Sequence, residues 1–174
     1  MALNIGKIRS FPVSLIDAST SDQRYPLGTV ISILPEISNS VYARGYIYAQ
    51  AGEALTASSS CSYVEGGKVF LNSTIGEVNG MTACCPQFDL AINTYGFFLG
   101  QGDGKFRVEG VDSLRSINTY IKATSDYDYW SLLPEGLSFA GSSGGWIEEQ
   151  VPGDDTVRVV DAVLFGTNIK VLAS

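Results

Sequence analysis

Hydrophobic and polar positions along this chain repeat mostly with a period of two, over short stretches, and seldom with the longer period of a helix. Residues 41–49 (VYARGYIYA) are the clearest case. Val41, Ala43, Gly45, Ile47 and Ala49 alternate with Tyr42, Arg44, Tyr46 and Tyr48, which predicts a strand carrying its large rings on one face. Residues 27–34 are rich in β-branched side chains and stop at Pro35, a second strand. Residues 68–71 and 76–78 are brief apolar pieces, the latter followed by the turn dipeptide Asn79-Gly80. Residues 91–99 and 105–111 read as the arms of a hairpin whose loop is the glycine run from Gly100 to Gly104. Strands over 137–139, 145–149, 157–164 and 169–172 complete the set.

Turn signals recur about every 8–12 residues, the spacing of an all-β chain. The expected fold class is therefore all-β, mainly antiparallel, as a small β-barrel or β-sandwich with an extended N-terminal arm. Helix has two weak candidates. Residues 51–60 contain Gly52 and three consecutive serines, which oppose it. Residues 112–123 place Leu114, Ile117, Tyr120 and Ile121 at helical spacing behind Asp112, a candidate N-cap. Yet Ile117, Thr119 and Ile121 also alternate, and Asn118, Thr119 and Tyr120 are poor helix formers, so strand is favoured there. The opening residues 1–26 lack clean periodicity, and Pro12 and Pro26 both oppose a central strand. They read as an arm or edge strand with a polar loop, ahead of a single β-rich domain over 27–174. Such an arm either packs on its own domain or reaches a neighbour.

Composition narrows the chemistry more than it does the fold. The chain of 174 residues has the length of one domain, and its 45% hydrophobic content rules out disorder. Charged residues are only 17%, so Gly, Ser and Thr dress much of the surface. The net charge of −7 opposes sequence-independent binding to nucleic acid. That charge is uneven: residues 1–24 carry three basic and two acidic groups, and the remainder eight and sixteen. Histidine is absent, which removes most acid–base and metal chemistry. The first residues, MALNIGKIRS, have neither the apolar core nor the cleavage site of a signal peptide, and no apolar run reaches the length of a membrane span. Three cysteines, two of them adjacent (Cys84 and Cys85), make a poor disulfide framework, and reduced thiols are expected. Asn72-Ser73-Thr74 matches a glycosylation sequon but reads as a turn.

Several motifs invite a catalytic or ligand role. Gly141-Ser142-Ser143-Gly144-Gly145 fits the serine-hydrolase pattern, but that chemistry needs an imidazole, so the segment reads as a loop. Gly100, Gly102 and Gly104 resemble a phosphate loop, but Lys105 stands where the dinucleotide pattern needs glycine. Leu99 and Phe106 likewise break the P-loop pattern. Asp126, Asp128, Asp154 and Asp155 lack a calcium-loop arrangement, and the cysteines lack zinc spacing. No catalytic residue, cofactor or metal is expected. The aromatic stretch Tyr127-Asp128-Tyr129-Trp130 reads as an exposed loop, with Tyr127, Tyr129 and Trp130 as candidates for an interface or a glycan contact.

One resemblance adds a function. An aromatic-rich strand leads into Ala51-Gly52-Glu53-Ala54-Leu55; later come Val78-Asn79-Gly80 and Tyr95-Gly96-Phe97-Phe98-Leu99-Gly100-Gln101-Gly102. The chain then closes with Ala162-Val163-Leu164 through Ile169-Lys170-Val171-Leu172. This series resembles the decoration proteins (cement, or head auxiliary proteins) of tailed-bacteriophage capsids. It covers about half of the chain as scattered landmarks, and residues 112–150 have no counterpart in it. The resemblance implies a non-enzymatic virion protein, made in the host cytoplasm, that binds the major capsid protein on the capsid exterior. It also implies a homo-oligomer, often a trimer, with no nucleic-acid or membrane partner. Arg9, Phe11 and Arg24 of the arm are the candidate capsid contacts. The alternative is a carbohydrate-binding module of a tail or fibre using Tyr127, Tyr129 and Trp130.

Overall fold

Two strands, β2 (Arg44–Ala51) and β6 (Tyr95–Glu109), organise the molecule because each buries side chains on both faces. The computed structural model describes residues 16–33, 42–75, 82–111, 113–133 and 144–165. In β2 the four consecutive residues Tyr46, Ile47, Tyr48 and Ala49 are all buried. Tyr46 and Tyr48 enter one hydrophobic cluster and Ile47, Ala49 and Ala51 a second. β6 divides in the same way, with Phe97 and Leu99 in the first cluster and Phe98 in the second. Two-sided burial explains why a half-polar alternation misdescribes residues 46–49 of β2 and 97–99 of β6, which are apolar in both registers, whereas Lys105 to Glu109 of β6 alternate.

The remaining strands are β1 (Val30–Ile33), β3 (Cys61–Val64), β4 (Lys68–Leu71), β5 (Thr82–Cys84), β7 (Tyr120–Lys122), β8 (Ser131–Leu132), β9 (Gly144–Ile147) and β10 (Val157–Leu164). A single turn of helix, α1 (Asn72–Ile75), follows β4. The sheet order is β5-β3-β4-β2-β6-β10-β9-β7-β8, with β1 paired to β2. Every named pair is antiparallel except β2 with β4. The all-β, mainly antiparallel class is thus the observed one. The sheet does not close into a barrel, although Cys85 beyond β5 bridges to Leu99 of β6.

The glycine run from Gly100 to Gly104 is not the loop of a hairpin. β6 passes straight through it, pairing with β2 as far as Gln101 and with β10 from Gly102 onward. The register steps from Gly45↔Gln101 to Tyr46↔Leu99, leaving Gly100 as the extra residue of a bulge. Gly102 has φ +92, and a Cβ there would meet the Ala43 carbonyl oxygen at 2.5 Å. Glycine therefore bends a continuous strand so that it serves two halves of the sheet.

Elsewhere the differences are local. Residues 51–60 form no helix; Leu55 bridges to Leu90 instead. Strand wins at the end of the ambiguous segment, as β7, while Arg115 bridges to Val151. Within the opening segment, Ile16 is buried in the first cluster and Thr20 exchanges both backbone hydrogen bonds with Tyr95. Tyr25 packs its ring on Tyr48 and Phe97. Residues 16–26 therefore lie on their own domain. Predicted strands 76–78, 137–139 and 169–172, the Asn79-Gly80 turn, Asp112 and residues 141–143 of the serine motif lie outside the described residues.

Candidate functional site

The loop before β8 separates its three aromatic residues. Tyr127 is 47% exposed and stacks on Tyr129, with ring centroids 4.6 Å apart and planes 12° from parallel. Tyr129 is buried, and its hydroxyl donates to Glu109 Oε2 at 2.7 Å. Burial, and then the neighbouring Glu109 carboxylate, push the Tyr129 phenol well above its usual pKa. Trp130 has no exposed surface; it packs edge-on against Phe106 in the first cluster and bridges to Val108. The expectation of an exposed Tyr127-Tyr129-Trp130 site is therefore corrected, since only Tyr127 is presented to solvent. The physical reason is that Trp130 immediately precedes β8, bridged to Val108, and both Trp130 and Leu132 turn inward.

The acidic candidates are also dispersed. Asp128 pairs with Arg107 at 3.0 Å and Asp154 with Arg158. Among the described residues no three histidine, cysteine or carboxylate side chains are placed to hold a metal ion, and no helix is long and apolar enough to cross a membrane. Of the arm candidates, Arg9 and Phe11 lie outside the described residues. Arg24 is exposed, and its backbone N–H donates to the Tyr48 hydroxyl at 3.0 Å.

All three cysteines are free and buried. Cys61 and Cys84 are direct cross-strand partners in β3 and β5, and the Cys85 thiol lies against the Trp130 indole and the Gln87 amide. Desolvation raises all three thiols far above their usual pKa, so none is a thiolate nucleophile at neutral pH. Asn72 of the sequon is buried too. Its Nδ2 donates to Ser60 Oγ and its Oδ1 accepts from Ser62 Oγ, both at 2.7 Å. The amide that a glycan would need is occupied inside the fold.

A second aromatic group lies on the face of the sheet turned away from the first cluster. The inward residues Ile121, Ile147, Val160, Ala162 and Leu164 belong to that cluster, so their strand neighbours face outward. Register aligns Tyr120 of β7, Trp146 of β9, Val163 of β10 and Asp103 of β6 in one row across four strands. Phe165, 37% exposed, closes on Trp146 with centroids 4.5 Å apart and on Tyr120 at 5.8 Å. Tyr42 meets Trp146 edge-on at 6.0 Å. Val163, opposite Trp146 in this row, is only 2% exposed yet belongs to neither core cluster. Gly145 permits the close strand approach beneath these rings: a Cβ there would run into the Val163 carbonyl.

Charged groups border this row on one flank. Arg44 grips Asp103 through two nitrogens, at 2.5 and 3.2 Å, and Lys105 pairs with Asp161 at 2.7 Å. Glu148, exposed beside the row, has a raised carboxyl pKa, first through partial desolvation and then through repulsion from Asp103 and Asp161. Sequence reasoning passed over Trp146 and Phe165. Residues 157–165 are apolar in both registers, so alternation alone does not say which side faces water. Compared with known protein families and with curated proteins, the sequence finds a match in neither.

Proposed function

We propose that this chain is a non-enzymatic structural virion protein, a decoration or cement protein that binds the outer surface of the major capsid protein shell and stabilises it. One observation supports the reading most. Three of the stretches that carry the resemblance are joined parts of the framework, while Val78-Asn79-Gly80 and Ile169–Leu172 lie outside the described residues. The aromatic strand is β2, Tyr95 to Gly102 is the first half of β6, and Ala162 to Leu164 is the end of β10. β2 and β10 are the two partners of β6. On this reading the protein works in the virion as a homo-oligomer, a trimer, after synthesis in the host cytoplasm. Multiple copies on a repeating shell let weak individual contacts suffice.

The test is peptide mass spectrometry of purified particles, scaled to the major coat protein. Copies in the hundreds support the proposal; absence from particles overturns it, and a few copies would place the chain on a tail or fibre. The arm contacts are tested separately with the substitutions Arg9→Ala, Phe11→Ala and Arg24→Ala. Deleting residues 1–24 would also remove Ile16, buried in the first cluster, and Thr20, bridged to Tyr95, so substitutions separate binding from folding. Loss of particle binding in the substituted protein supports the arm as the capsid contact, and full retention overturns it.

A further inference from the structure

We propose that the outward aromatic row of β7, β9 and β10 is a binding face for an uncharged oligosaccharide. The shape is the first argument. Tyr120, Trp146 and the buried Val163 follow one another on adjacent strands, and Phe165 and Tyr42 contact the indole from the sides. At the usual interstrand spacing the row from β7 to β6 is about 14 Å long. Glu148 and Asp161 bound it on one flank, at the next outward position on their strands, and on the other flank Phe165 widens it by a single side chain.

A strip of those dimensions is far below the roughly 800 Å² that each partner buries in a stable protein interface. The cores of such interfaces are also depleted of the Lys, Asp and Glu found here. The strip suits a ligand that is itself narrow, has apolar ring faces and carries polar groups along its rim. A chain of pyranose rings answers that description: its C–H faces lie on aromatic rings and its hydroxyls reach the bordering carboxylates. Glu148 is raised in pKa by partial desolvation and by two neighbouring carboxylates, so a hydroxyl donor beside it is welcome where a further anion is not. Arg44 and Lys105 are paired with Asp103 and Asp161, and Lys122, next outward from Tyr120 on β7, is matched in number by the Glu148 carboxylate, so the groups bordering the row carry no net charge to draw an acidic sugar. This inference does not depend on the capsid reading.

The test uses the full chain and hexasaccharides of β-1,4-linked glucose, β-1,4-linked N-acetylglucosamine and α-1,4-linked glucose, titrated by tryptophan fluorescence and calorimetry. Trp146 is half-buried and Trp130 fully buried, so a fluorescence change on binding reports the outer face. Binding of at least one probe, weakened at least tenfold by Trp146→Ala and by Phe165→Ala, supports the proposal. Unchanged binding in Tyr127→Ala serves as the control for the other exposed ring. Each variant is checked for a native urea midpoint; if Trp146→Ala unfolds, Phe165→Ala and Tyr120→Ala carry the test. Absence of binding to all three probes overturns the proposal, as does binding that these variants leave intact. So does finding that the variants abolish only self-association or particle attachment.

Discussion

Asn72→Ala should be one of the most damaging single changes of a polar residue in this protein. Asn72 is fully buried, as is Ser60, and Ser62 is 1% exposed. The asparagine amide bridges the two hydroxyls, donating to one and accepting from the other. Truncation leaves both serines without that partner in a site closed to bulk water. A stranded buried polar group costs about 1–3 kcal/mol. Because a hydroxyl can turn toward another acceptor, the lower part of that range applies to each serine, giving a loss of about 2–4 kcal/mol. That is a large fraction of the roughly 5–15 kcal/mol that holds a domain together. With a urea slope of about 2 kcal/mol/M the midpoint should fall by about 1–2 M. Equilibrium urea unfolding followed by tryptophan fluorescence reads this directly. The triple variant Ser60→Ala, Ser62→Ala, Asn72→Ala should recover part of the loss, since it removes the stranded partners as well. Asn72→Asp adds a sign test. Burial raises the folded-state pKa of the new carboxyl above its unfolded value, so this variant keeps most stability below the unfolded pKa and loses it as pH rises through the folded pKa. A midpoint for Asn72→Ala within about 0.3 M of the parent would refute the reasoning, since surface substitutions do no more.

Three further outcomes are expected. Trp130→Ala should cost about 3–5 kcal/mol as a core truncation, whereas Tyr127→Ala should stay within about 0.5 kcal/mol; thermal melts of the two variants test where the structure has placed these rings. Ellman's reagent should leave the three thiols unmodified in the native protein and label all three in concentrated guanidinium, because burial both hides them and raises their pKa. Rapid native labelling would contradict the packing around Cys61 and Cys84. Glu148→Gln should raise the melting temperature at neutral pH, and the gain should vanish near pH 4. The folded-state carboxyl pKa is raised, so the glutamate costs stability only once pH rises through it; a gain that persists in acid would exclude this cause.

Much of the fold was legible in the pattern of side chains, and the exceptions share a cause. β2 and β10 stand out because their β-branched and aromatic residues are bounded by turn formers. Gly100, Gly102 and Gly104 were misleading, because glycine marks a loop and a bent strand with the same letters. What separates them is the long-range pairing with β2 and β10, which local pattern does not contain. β3 and β5 were missed because Cys61, Ser62, Ala83 and Cys84 are small and only weakly strand-forming; their burial comes from neighbours. The same limit governs the candidate site. Trp130 and Trp146 each sit beside a strand alternation, yet one lies in the core and the other on the outer face. The difference rests on which side of β8 and β9 meets the first cluster.

The double service of β6 also shapes how the chain is made. Its second half pairs with β10, which lies about 55 residues further along the sequence. At a synthesis rate of about 5–20 residues per second, the β10 partner follows β6 by about 3–11 s. During that interval the first half of β6 can already join β2, while residues 102–109 present an unpaired edge. Hydrogen-bonding capacity left open for seconds is an invitation to neighbouring nascent chains. Within that segment Asp103, Lys105, Arg107 and Glu109 place two cations between two carboxylates on one face. Those charges discourage edge-to-edge pairing with a second copy during synthesis; once the sheet is complete Asp103, Lys105 and Arg107 pair with Arg44, Asp161 and Asp128, and Glu109 accepts the Tyr129 hydroxyl.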